Sequence, residues 1–241
     1  MRRLLTIVAA LFFSLTATSV WAQDGASRCY DGDFVEQALD NGAETYRVAV
    51  PGRSYFRQGG DGCPSAASCQ LKSYVIGKNQ VLVSRIEHGW ACAWYGGTSA
   101  QTVGWLRAAD LAKTATLTVK INWLGHWSLG ENGNISITRD ARGGLRVEGD
   151  MVNMGRLSMP SGAFDGDLLV DGPNGLYSDF DAEADARYRA QFPGEPSPPH
   201  CTVRFRRVDR YLIVADGDSA SPWGCGGMGA GFTGVYSYDG R

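Results

Sequence analysis

LKSYVIGKNQVLVSRIEHGWACAWYGGTSAQTVGWLRAADL, residues 71 to 111, decides the fold. Val81-Leu82-Val83 lies between Gly77-Lys78-Asn79 and His88-Gly89, Trp90 to Tyr95 is ended by Gly96-Gly97, and Thr102-Val103-Gly104-Trp105-Leu106 closes the stretch. Short β-branched and aromatic runs bounded by Gly and Asn are the strand and hairpin signal. Three strands cannot bury a core alone. The reading therefore recruits Tyr46-Arg47-Val48-Ala49-Val50 and Ser54-Tyr55-Phe56-Arg57, giving an expected five-stranded barrel from roughly 46 to 112. A barrel of this size is near the lower limit for a stable core, where disulfides help.

Val81-Leu82-Val83, Gly89-Trp90 with Ala93 and Tyr95, and Gly104-Trp105-Leu106 with Ala109 and Leu111 resemble a bacterial SH3-like (SH3b) domain. The resemblance covers about a quarter of the chain. It implies a small barrel that commonly binds cell-wall peptide or serves as a targeting module. The departure is Gly59-Gly60-Asp61-Gly62-Cys63-Pro64-Ser65-Ala66-Ala67-Ser68-Cys69, an insert between early strands where such barrels carry a groove-lining loop.

Outward from this core, residues 1–22 read as a secretory signal: Arg2-Arg3, an apolar Leu4 to Val20, and Val20-Trp21-Ala22 as cleavage site. Polar Gln23-Asp24-Gly25 follows at once, so no stable membrane insertion after cleavage is expected. Removing 22 residues from 241 leaves 219, and losing Arg2 and Arg3 leaves 21 basic against 25 acidic residues, a net charge of −4. That balance argues against nucleic acid or an anionic membrane as main partner. An even number of cysteines in an exported chain reads as disulfides, for a periplasmic or secreted protein. Six cysteines allow 15 pairings. Cys201–Cys225 is forced if pairing respects domains. Among Cys29, Cys63, Cys69 and Cys92 the preferred pairs are Cys63–Cys69, closing its own loop, and Cys29–Cys92, pinning the N-terminal segment. The other pairings of these four stay open.

Within the N-terminal segment, 23–45, Phe34 to Asn41 is expected as two helical turns with Asp33 as N-cap and Gly42 as stop. After a connector at 108–115, strand rhythm restarts near Thr116, so 116–241 is expected to be a separate domain whose core does not need the first. Thr116 to Ile121, Ile135 to Thr138 and Leu145 to Met151 alternate between Gly-rich turns, with Gly125-His126-Trp127 among them, and Ser161 to Asp171 adds another strand around Leu168-Leu169-Val170. Such spacing suggests an up-and-down antiparallel barrel. Asp179 to Phe192 fits a short helix with Ala182, Ala186, Tyr188 and Phe192 partly aligned, and Phe192 to His200 is a Pro-rich loop. Cys201 to Arg206, Tyr211 to Val214 and Gly231 to Tyr238 are further strands. The fold class is therefore all-β: a small SH3-like barrel at 46–112, then a second antiparallel β-barrel-like domain with one short helix. Cys201, Tyr211-Leu212-Ile213-Val214, Asp216, Cys225-Gly226-Gly227-Met228 and Phe232-x-Gly234-Val235-Tyr236 resemble the C-terminal β domain of uncharacterised exported proteobacterial proteins that also carry an SH3-like domain. Gly125-x-Trp127 is similar to the start of lipocalin- and avidin-like barrels, where a Trp plugs one end.

Chemistry is sparse. His88, His126 and His200 read as surface or turn residues, no G-x-S-x-G occurs, and Asp165/Asp167 and Asp216/Asp218 are flanked by Gly as turn residues. No catalytic, cofactor-binding or metal-binding residue is assigned, and no cofactor is expected. What remains is aromatic: Tyr55, Tyr74, Trp90, Trp94, Tyr95 and Trp105 are the ligand-binding candidates, with about half of them expected to be core. Trp and Tyr supply contact area at low entropic cost. The expected function is non-catalytic recognition of cell-wall peptide or glycan, or of an envelope protein. The alternatives are an inhibitor of a wall-degrading enzyme such as lysozyme, presenting the Asp216 to Cys225 loop, and a small-ligand carrier using the second barrel.

Overall fold

The computed structural model describes residues 28–97, 101–115, 121–153, 160–198, 200–217, 225 and 230–240. The expected signal segment and residues 116–120 lie outside them, and so does most of the Asp216 to Cys225 loop.

The opening stretch folds as read but recruits more than five strands. β1 (Glu44–Val48), β2 (Arg53–Arg57), β3 (Gln70–Ile76), β4 (Gln80–Glu87), β5 (Trp90–Gly96), β6 (Gln101–Arg107) and β7 (Leu111–Lys113) form one antiparallel sheet in the order β3-β2-β6-β5-β4-β1-β7. The two additional strands are β3 and β7. In β3 only Val75 is buried, so its alternation is too sparse to show in the sequence. After the 3₁₀ turn Ala108–Asp110, β7 pairs with β1.

The second half gives nine strands: β8 (Gly125–Leu129), β9 (Gly133–Arg139), β10 (Leu145–Val152), β11 (Ser161–Asp167), β12 (Leu169–Asp171), β13 (Asn174–Ser178), β14 (Thr202–Val208), β15 (Tyr211–Asp216) and β16 (Gly234–Tyr238). Their order is β11-β10-β9-β8-β16-β15-β14-β13-β12. Only Leu168 separates β11 from β12, the two ends of that order, so the sheet curls into a nearly closed barrel. β13 was not anticipated: Asn174-Gly175 has the look of a turn, but Gly175 faces Trp123, whose ring comes within 3.0 Å of where a Cβ would stand.

The interior of this curl is filled. Trp123, Trp127, Phe164, Tyr177, Phe205, Phe232 and Tyr236 pack there with Met151 and aliphatic side chains. Glycines on the strands make the room: a Cβ on Gly149 would stand 2.3 Å from Phe164, and one on Gly166 would stand 2.7 Å from Tyr177. Trp127, from the G-x-W, is buried under the Arg207 guanidinium, 4.8 Å from the ring centroid. Arg207 donates to the carbonyls of Asn122 and Tyr211, and its burial lowers its pKa.

Helix α1 (Asp31–Asn41) starts earlier than expected. Its N-cap is Tyr30, without a side-chain cap, and Asp33 sits in the first turn rather than before it. Arg85 on β4 pairs with Asp33 there at 2.9 Å. Gly42 ends the helix with φ 94°, its N–H donating to the Ala38 carbonyl. Helix α2 (Ala182–Gln191) forms behind an Asp181 cap that accepts from the Glu183 and Ala184 N–H groups, which lowers the Asp181 pKa. None of its residues is buried, so the partial alignment of Ala182, Ala186 and Tyr188 faces no core.

Three disulfides, Cys29–Cys92, Cys63–Cys69 and Cys201–Cys225, are formed. They suit an oxidising, extracytoplasmic environment. Among the described residues no helix is long and apolar enough to cross a membrane.

The buried residues form three clusters, and one of them corrects the expectation of independent cores. The first sheet has its own cluster on one face: Val48, Phe56, Val75, Val81, Val83, Ala91, Ala93 and Leu106. The second sheet has the filled interior. The third cluster takes Phe34, Val35 and Ala38 from α1, Leu82, Cys92, Trp94 and Trp105 from the first sheet, and Ile213, Ala215 and Val235 from the outer face of the second. α1 is thus wedged between the sheets. Cys29, just ahead of α1, bonds to Cys92 of β5, and Arg204 on β14 pairs with Glu36 and Asp40 of α1.

Candidate functional site

Strand alternation sorts the six aromatic candidates before any packing is considered. In β5, Trp90, Cys92 and Trp94 point to one face, and Ala91, Ala93 and Tyr95 to the other. Register places Arg107 opposite Trp90, Trp105 opposite Cys92 and Val103 opposite Trp94. Arg57 stands opposite Trp105, and Tyr55 opposite Tyr74. Tyr55, Tyr74, Trp90, Trp94 and Trp105 therefore share the outer face of the first sheet. Tyr95 is on the other face, packed against the sheet's own core.

The outer face is not uniformly open. Trp94 and Trp105 are 2% and 1% exposed, covered by α1 and the second sheet. Trp94 lies edge-on to Tyr211 of β15, with ring centroids 5.1 Å apart. Its indole N–H donates to Gln101 Oε1 at 3.1 Å, and Gln101 Nε2 donates to the Val235 carbonyl at 3.0 Å. A buried indole with its N–H satisfied across two sheets is a packing element. Trp94 and Trp105 are thus corrected from surface candidates to core.

Tyr55, Tyr74 and Trp90 remain accessible, and each lies against an arginine that sequence reasoning missed. Tyr74 is 40% exposed, tilted against Tyr55 with centroids 5.6 Å apart, and carries the Arg53 guanidinium 4.4 Å above its ring. Half-buried Trp90 lies between the guanidiniums of Arg57 and Arg107, 5.2 and 5.4 Å from its centroid. Such contacts hold rings flat and add a cationic rim. Arg57 also donates to the carbonyls of Pro64 and Ala66, both at 2.9 Å, which ties the Cys63–Cys69 loop to the same face. A readable signal existed: in Arg53-Ser54-Tyr55-Phe56-Arg57 the cations and Tyr55 alternate with buried Ser54 and Phe56.

Concavities adjoin the first sheet. One of about 890 Å³ lies where α1, β1 and β4 meet β14, with Ser84, Thr114, Arg206 and Asp209 in its wall. Arg206 there caps α1, donating to the Leu39 carbonyl, and also donates to Asn174 Oδ1. Another, of about 690 Å³, is formed by the β1–β2 turn and the β3–β4 turn.

The histidines and the paired carboxylates lie apart. His88 is a left-handed turn residue (φ 48°), His126 Nδ1 is 2.7 Å from Ser136 Oγ, and the His200 ring leans on Phe180. Asp165 pairs with Arg146, and Asp216 accepts from the Phe232 N–H and Thr233 hydroxyl. Among the described residues no group of three His, Cys, Asp or Glu is placed to hold a metal ion. No family model, no curated protein and no solved structure matches this chain.

Proposed function

We propose that this protein is an exported, periplasmic or secreted, non-catalytic binding protein of the bacterial envelope. Its first sheet acts as an SH3-like module that recognises cell-wall peptide or glycan. The observation that carries the reading is the accessible ring set Tyr55, Tyr74 and Trp90 on one sheet face, with guanidiniums over the Tyr74 and Trp90 rings and Arg53 reaching the Tyr55 hydroxyl at 3.5 Å. Flat rings held in place lose little entropy on binding. The filled interior of the second sheet speaks against a small-ligand carrier. The loop on which an inhibitor would rely lies largely outside the described residues.

Co-sedimentation with purified sacculi tests this. The mature protein should pellet with sacculi. Tyr74→Ala and Trp90→Ala should keep a cooperative melt and bind about thirtyfold more weakly, the usual cost of removing an interface aromatic anchor. A mature protein that stays in the supernatant at every sacculus concentration would refute the reading.

A further inference from the structure

The smaller concavity is walled by residues 47–53 and 76–78, and Arg47, Arg53, Ile76 and Lys78 give it its character. Three of these are cations, Arg47, Arg53 and Lys78, and none is an acid. All three are exposed, and among the described residues none forms an ion pair. That is unusual in a chain with slightly more acidic than basic residues, 25 against 23. Asp110, behind the β1–β2 turn, accepts from Ser54 Oγ at 2.6 Å and does not line the concavity.

Two features show a shaped site rather than a scatter of surface charge. Lys78 occupies the left-handed region, φ 76°, which is unfavourable for a residue with a side chain; its N–H donates to the Val48 carbonyl, which locks the β3–β4 turn against the end of β1. Arg53 belongs to the concavity and to the aromatic face at once: it lines the cavity, and its guanidinium lies over Tyr74. Ile76, opposite Arg53 in the β2–β3 register, bridges the same border. A concave wall of one sign raises the local concentration of the opposite charge. Guanidinium groups match a carboxylate in a two-point hydrogen-bonded fork.

We infer that this concavity receives a carboxylate of a wall polymer, while the adjoining part of the same polymer lies across Tyr74 and Tyr55. The inference rests on the wall-binding reading and names the ligand chemistry at the end of that face. Arg47 at the end of β1 and Lys78 in the β3–β4 turn grip the carboxylate, and Arg53 links it to the rings.

The test uses the mature full-length protein, wild type and Arg47→Gln/Arg53→Gln/Lys78→Gln, with four probes. These are sacculi, sacculi whose carboxylates have been amidated, soluble poly-L-glutamate and phosphatidylglycerol vesicles. Expected results are binding to native sacculi, loss on amidation, and about tenfold weaker binding by the triple variant at unchanged melting temperature. Arg47→Lys/Arg53→Lys, which keeps the charge, should recover part of that loss. Undiminished binding to amidated sacculi, or by the triple variant, overturns the carboxylate site and leaves the wall reading standing. Binding to poly-L-glutamate that needs the three cations, without binding to sacculi, refutes the wall reading and with it the wall polymer as the ligand. Cation-dependent binding to the vesicles but not to poly-L-glutamate assigns the site to phosphate and overturns the inference. Binding to none of the probes refutes both.

Discussion

The two sheets bury their aromatics by different means. The second sheet curls round its own rings: Phe164, Tyr177, Phe232 and Tyr236 are enclosed by strands that meet at Leu168, and Gly149 and Gly166 are small so that rings can lie on the backbone. The first sheet cannot enclose Trp94 and Trp105. They stand on its outer face and are buried only because α1 and β15–β16 are laid over them. In the second sheet, burial follows from closure. In the first it depends on a lid of foreign elements, and where the lid ends, at Trp90, Tyr55 and Tyr74, the same face becomes a surface available to a ligand.

This contrast can be broken by substitution. Trp94→Ala removes a ring shared by both sheets and should cost about 3–5 kcal/mol of stability in urea unfolding. Fluorescence and circular dichroism should lose their transitions together; a variant that unfolds the first sheet while the second melts normally would show that the lid is not shared. Next comes the tether of the lid. Cys29 and Cys92 are 63 residues apart in sequence, and replacing both by Ser should cost about 4 kcal/mol on the chain-entropy account. That variant should also raise the protease sensitivity of residues 28–41, read by limited proteolysis.

Smaller effects sharpen the comparison. Gly149→Ala forces a Cβ to within 2.3 Å of Phe164 and should cost about 2 kcal/mol through overpacking. Because the second interior has its own closure, this loss should leave sacculus binding by the intact protein unchanged. Least is expected of Arg204→Ala. It removes pairs with Glu36 and Asp40 that join β14 to α1, but they are solvent-accessible, so thermal melts should register no more than about 1 kcal/mol.

Much of this was legible along the chain. Alternation marked most strands, Gly42 marked the end of α1, and Asp179 to Phe192 marked α2. Even double burial left a trace. Tyr211-Leu212-Ile213-Val214-Ala215 and Ala91-Cys92-Ala93-Trp94 are continuous apolar runs, as strands covered on both faces tend to be. β3 and β13 escaped because their inward residues are few or are glycines. The candidate site was half legible. The six aromatics were visible as a set, but their sorting needed register, which puts Tyr95 on the opposite face, and a lid, which removes Trp94 and Trp105. The cations carry no signal of their own because each is ordinary in sequence; Arg47, Arg53 and Lys78 lie on three different segments.

By itself, then, the sequence determined the period-two strands, the all-β class and the cysteine supply, because these depend on neighbours along the chain. Tertiary structure alone decided which face of each strand is covered, that α1 joins the two sheets through one cluster, and that three distant cations meet around one concavity without an acid among them. The reason is geometric. A strand fixes which residues share a face, but what comes to lie on that face is brought by loops and disulfides from elsewhere in the chain.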